Sequence, residues 1–252
     1  MNMKCLYFAS RNRKEIIRDP LASIFGIIMP IVLILLFSLI ANASTEVPAE
    51  VVEMFNPIII TPGLTIFGIS FITMFLGGLI AKDKSSSFLS RLFVSPLKPK
   101  DFIFGYIIPT IPIAFLIAIC CTVAGIAIGM PISINILFVF LSYIPYIFFA
   151  SVVGVFIGTI ANESQVLVFG NLFVIGGAFL GGMWMNITAL GGTFMAISVS
   201  LPFYHAVEAS RLALSGEFAG IWQHLGVVII YALVFFVLTV IFFNRKMKSD
   251  NK

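Results

Sequence analysis

Long apolar stretches free of charge alternate along this chain with short segments that hold almost all of its ionisable side chains. Residues 21–41 carry no charge, and about 21 residues at 1.5 Å rise each reach across a hydrocarbon layer of roughly 30 Å. A second uncharged stretch, 57–81, opens on Thr61-Pro62-Gly63, where a proline fits an early helical turn. Stretch 102–129 follows, with Pro109 and Pro112 expected to bend its first turns, and Met130-Pro131-Ile132-Ser133 predicts a short turn into 135–161. Stretches 165–184 and 221–243 complete the set. Between these two, 185–200 is apolar but broken by Asn186, Gly191 and Gly192, with Pro202 just beyond. It is too short to cross and reads as a re-entrant or interfacial hairpin on the outer face. The pattern predicts an all-α, polytopic membrane protein with six transmembrane helices in a single domain, 1–252.

Composition agrees. The 252 residues are 60% hydrophobic and 10% charged, against roughly 45–50% and 25% in soluble domains, and mean hydropathy is +1.11. A water-soluble fold is excluded. Cys5, Cys120 and Cys121 have no metal-ligand spacing and read as small apolar side chains. The stretch 21–41 is too long for a signal-peptide core and is expected to stay as an anchor.

Charge sets the orientation. Of the 15 Lys and Arg residues, five lie in 1–20, five in 82–101 and four in 244–252. Six crossings place all three clusters on one side. Arg211 falls on the other, together with the loop 42–56, which has three glutamates and no basic residue. The positive-inside rule therefore predicts that both termini are cytoplasmic. A seventh crossing would put the basic tail outside. The net charge of +4 follows from this topology and from attraction to anionic inner-leaflet lipid, and calls for no nucleic-acid partner.

Catalytic patterns are missing. There is no G-x-x-x-x-G-K-[ST], H-E-x-x-H, C-x-x-C or G-x-S-x-G. His205 and His224 stand 19 residues apart, with Glu208 the one nearby carboxylate, too little for a metal site. His205 and Glu208 read as a surface pair on an amphipathic helix, with a zinc or proton-coupling role as the alternative. Glu163 reads as a solvent-facing turn residue, with a gate or coupling contact as the alternative. No span carries a charge in its middle, which disfavours an ion-driven carrier, and a membrane enzyme is disfavoured for want of a nucleophile, metal set or acid–base pair.

Two inner segments look built for contact. In 82–101, a short helix over Phe88, Leu89, Arg91, Leu92 and Phe93 gathers its apolar side chains on one side, and Pro96 stops it before Leu97. Such a helix can lie on lipid headgroups or plug into a groove on a cytoplasmic protein. Near the N-terminus, 11–20 has a similar build: Ile16 and Ile17 offer an apolar side, Asp19-Pro20 suits a cap and first turn for the next helix, and the basic residues fit an interfacial anchor.

These segments, with Thr61-Pro62-Gly63-Leu64, Leu92-Phe93-Val94-Ser95-Pro96-Leu97, Asp101-Phe102-Ile103-Phe104-Gly105 and the run from Leu201 to Arg211, resemble over nearly the whole chain the membrane-spanning permease subunit of a type-2 ATP-binding cassette (ABC) exporter. One departure is that many relatives carry a glutamate-rich stretch after the second span, where this chain has Lys82-Asp83-Lys84 and three serines. The resemblance implies a subunit of the prokaryotic cell (inner) membrane, paired with a second permease copy or homologous permease and with a separate cytoplasmic ABC ATPase. That partner would hold ATP and Mg, with no cofactor in this chain and no enzymatic activity of its own. Cargo would be a drug, peptide antibiotic, lipid or similar amphiphile, moved outward. A non-transporting membrane scaffold or immunity protein of the same architecture is the alternative. On this likeness Phe88, Leu89, Arg91, Leu92, Phe93, Pro96 and Leu97 make the coupling helix, and Glu15, Ile16, Arg18, Asp19 and Pro20 belong to the elbow. Ser142, Tyr143, Tyr146, Ser151 and Asn171 are candidates for the translocation path, and Pro202, Tyr204, Glu208 and Arg211 for the extracellular pre-span segment.

Overall fold

A computed structural model describes residues 3–20, 24–42, 49–86, 99–185, 187 and 191–249, and among these no strand occurs. The helices are α1 (Met3–Arg18), a π-helical turn (Ile24–Ile28) running into α2 (Met29–Asn42), α3 (Ala49–Met54), α4 (Pro57–Ser85), α5 (Pro99–Ile107), α6 (Thr110–Ala127), α7 (Asn135–Ile160), α8 (Glu163–Leu180), α9 (Gly192–Ser200), α10 (Pro202–Ser215) and α11 (Phe218–Ser249). Six described segments are long and apolar enough to cross a membrane: Ile24–Asn42, Pro57–Ser85, Phe102–Ala127, Asn135–Ile160, Glu163–Leu180 and Phe218–Phe243. They coincide with the six expected spans, apart from a few residues at the ends.

The deviations have local causes. Pro30 has no N–H for the carbonyl of Gly26 and its ring crowds that turn, and the wide π-helical turn lies where this conflict falls. Pro109 sits in the break between α5 and α6, the bend expected of it. The second span overruns its expected end at 81: α4 continues to Ser85 and takes up Lys82, Asp83 and Lys84. Its 29 residues span about 44 Å, more than the roughly 30 Å of hydrocarbon, so this charged last turn has room at headgroup level.

α4 is the central helix, and from 60 to 81 every residue except Gly78 is buried. It packs most extensively on α7, with α6, α8, α2 and α10 also against it, and α11 covers the other side of α7. Close approach of α4 and α7 depends on small residues. A Cβ on Gly158 would lie 2.6 Å from the Gly77 carbonyl oxygen, so no larger residue fits without parting the helices. α10 buries Ala206, Val207, Ala209, Ser210, Ala213 and Leu214, one helical stripe that seats it on α7 and α11. Apolar side chains of α2, α8 and α11 such as Leu39, Leu172 and Ile230 face outward, as lipid-facing residues do.

α9, with nine residues, is about 13 Å long and cannot cross. The described chain thus adds no seventh crossing, and α11 returns to the end of the bundle where α1 lies. There the Phe102 ring meets both Phe8 and Phe243, each at 6.1 Å.

Candidate functional site

The residues expected to couple to a partner, Phe88, Leu89, Arg91, Leu92, Phe93, Pro96 and Leu97, lie outside the described residues. The stems on either side of that segment are described, and a buried polar clasp binds them together. Asp83, in the last turn of α4, is 2% exposed. Its carboxylate accepts from Arg11 of α1 through both guanidinium nitrogens, Nη1 at 2.6 Å and Nη2 at 2.8 Å, a two-pronged geometry that suits the planar fork of arginine. The Tyr106 hydroxyl of α5 donates a third bond at 2.8 Å. Hydrogen bonding to Asp83, against the opposing effect of burial, raises the pKa of Arg11 above its usual value, so the guanidinium keeps its charge in this contact.

Neighbouring contacts extend the clasp. Asn12, fully buried, donates from Nδ2 to the Gly105 carbonyl at 3.0 Å, and Phe8 stands edge-on to Tyr106 at 4.9 Å. Gly105 is required here, because a Cβ would run into the Phe8 ring. On the other flank, Lys84 Nζ reaches the carbonyls of Gly158, Thr159 and Ala161, the acceptors left open where α7 ends. Ser85 donates to Glu163 at 2.7 Å, the first residue of α8, whose N-terminus is closed by a reciprocal Asn162–Gln165 capping box. Both stems of the 87–98 segment are therefore tied to the N-terminal helix, and the α4 stem also to the junction of α7 and α8.

The N-terminal helix is longer than the expected elbow, beginning at Met3. Ile16 is buried, Glu15, Arg18 and Pro20 are exposed, and Glu15 lies 3.9 Å from Arg11. With Asp19 these residues line a cavity of about 460 Å³, faced by Phe75, Lys82 and Glu163.

The path candidates divide. Tyr146 bonds Ser70 at 2.6 Å, Ser151 bonds Thr110 at 2.7 Å and the Ile147 carbonyl at 2.7 Å, and Ser142 donates to Val139 at 2.7 Å. These three and Tyr143 are buried inside the single chain, where several join helices. Asn171 alone of the five is exposed, its Nδ2 bonded back to the Leu167 carbonyl.

At the opposite end, Pro202 starts α10 and Tyr204 lies half-buried beside His205. Glu208 pairs with Arg211 at 2.8 Å rather than with His205, and Arg211 also donates to the carbonyls of Ile59 and Gly182. His205 instead meets His224 of α11, with Nδ1 atoms 2.8 Å apart.

Among the described residues, six apolar helices of membrane length, one of them buried at the centre, with ion pairs at the two ends, define a polytopic integral membrane protein. The model of the ABC-2 type transporter family matches residues 3–215, from the first residue of α1 to the last of α10, and the chain belongs to that family. It is a membrane transport permease. Comparison with curated proteins and with solved structures gave no match.

Proposed function

We propose that this permease works as the membrane subunit of an ABC exporter, driven by a separate cytoplasmic ATPase that binds ATP and Mg, with a second permease copy or a homologous permease completing the pathway. Both termini and the 87–98 segment face the cytoplasm of a prokaryotic cell, as the three basic clusters favour. The observation that carries this reading is the clasp. A displacement of the coupling residues Phe88, Leu89, Arg91, Leu92, Phe93, Pro96 and Leu97 reaches the stems, and Asp83 joins those stems to α1, so α1, α4 and α5 respond together. Nucleotide energy then biases inward against outward access only through partner contacts that differ between the two states.

The cargo is an amphiphile such as a drug, peptide antibiotic or lipid. Asn171 is the exposed one of the path candidates, on the outer face of α8, and the cavity beside Glu15, Arg18 and Lys82 is where an amphiphile would meet both charge and apolar surface.

Co-purification with the candidate ATPase in lipid, followed by measurement of ATP turnover and vectorial cargo movement, tests this reading. Phe93→Asp is expected to detach or uncouple the ATPase, whereas Leu92→Ala, which shortens an apolar contact without adding a charge, has a milder effect. Full ATPase binding and transport by the Phe93→Asp protein counts against the coupling assignment.

A further inference from the structure

The chain contains two histidines, and the fold brings them together. His205 lies in the first turns of α10 and His224 in α11, the two helices of a tight hairpin that turns at residues 216–217. Their Nδ1 atoms are 2.8 Å apart and the ring planes are inclined by 47°. The other nitrogen of His205, Nε2, lies 2.8 Å from the Val199 carbonyl, at the end of α9. A carbonyl only accepts, so Nε2 carries a proton and donates. In the neutral ring Nδ1 is then an open lone pair, and the proton between the rings belongs to His224.

We propose that His205 and His224 together bind a late first-row divalent cation of the Zn2+ type, which takes the place of the proton shared between their Nδ1 atoms. Imidazole nitrogen is a preferred donor for such ions and a poor one for Mg2+ or Ca2+. A ring that donates its remote N–H to a backbone carbonyl is held in the tautomer and orientation that a metal ligand needs, and His205 is held in this way by Val199. Two nitrogens on one tetrahedral zinc lie about 3.3 Å apart, given Zn–N of about 2.0–2.1 Å. From their 2.8 Å spacing the rings need therefore part by about 0.5 Å and tilt so that both Nδ1 lone pairs converge on the ion, a movement of half-buried side chains whose shared ring neighbour is Tyr204.

The nearest carboxylate along α10, Glu208, is engaged by Arg211, and among the described residues no group of three or more His, Cys, Asp and Glu side chains is placed to hold a metal. Two protein ligands, with water at the other positions, make a site that loads and empties with the surrounding ion concentration, unlike a closed four-ligand structural site. A bound ion would join α10 to α11 directly and, through Val199, fix the end of α9. Zinc occupancy is thus a means of stiffening this end of the bundle.

The test uses the full chain in lipid nanodiscs, purified on a histidine-free tag and titrated with Zn2+ alone. Calorimetry is expected to give saturable binding of one ion per chain, undisturbed by excess Mg2+, and His205→Gln and His224→Gln should each weaken it by about ten-fold or more. With 15N-labelled histidine the unsubstituted protein has two ring systems to observe, and zinc is expected to shift both, a result that does not depend on either variant folding. Absence of saturable binding, affinity unchanged in a folded variant, or zinc shifts at one ring only would overturn the proposal. None of these outcomes depends on the ATPase or the cargo, so they leave the exporter reading untouched.

Discussion

At Asp83 a carboxylate 2% exposed receives three hydrogen bonds from two other helices, and two of the donors carry one positive charge. Removing one member of a buried ion pair leaves the other poorly solvated, which costs roughly 3–5 kcal/mol in full burial. Arg11 is only partly buried, so Asp83→Asn is expected to lose roughly 2–3 kcal/mol, read as a lower unfolding temperature of the purified permease. Tyr106→Phe, which deletes one bond to the carboxylate and no charge, should lose about 1.5 kcal/mol. If Asp83→Asn unfolds at the wild-type temperature, the clasp does not hold these helices. None of this was legible in the sequence: Arg11 and Asp83 are 72 positions apart, and each alone looks like a headgroup-level charge. The same holds for His205 and His224, whose spacing matches no local motif. Glu163 was legible as a residue at a turn, though its bond to Ser85 was not.

At the scale of helices, an apolar run predicts a span well, while its ends depend on what its neighbours offer. The charged last turn of α4 is held by its neighbours: Lys84 meets the open carbonyls at the end of α7, and Asp83 meets Arg11 in the middle of α1. The amphipathic N-terminal segment was visible from Ile16 and Ile17, but its extension back to Met3 follows from Phe8 and Asn12 docking on α5. Helix crossing gives a separate test. Gly158→Val would thrust a branched side chain into the Gly77 backbone and Ile80, and overpacking of this kind typically costs about 1–3 kcal/mol. Since the obstacle is backbone rather than a movable side chain, loss at the upper end of that range is expected, seen as aggregation in gel filtration. A monodisperse protein of wild-type thermal stability would show that the α4–α7 crossing tolerates separation.

For the whole molecule, orientation is the testable property. With Cys5, Cys120 and Cys121 replaced, a cysteine placed by Ser86→Cys should react with impermeant maleimide only after cells are opened, and one placed by Glu50→Cys should react from outside. Labelling of both from outside would break the six-crossing arrangement. Charge-free apolar runs were enough to mark a membrane protein, the number of its crossings and the segments that stay at the surface, because transfer of side chains between water and lipid is additive and acts residue by residue. Packing of the helices in space was needed to make α4 central, to bury four of the five path candidates in the chain's own core, and to bring Arg11 to Asp83 and His205 to His224. Inside lipid, apolar surface gains little from choosing one neighbour over another. Close steric fit at small residues and the pairing of scarce polar groups make that choice, and both depend on positions far apart in the chain.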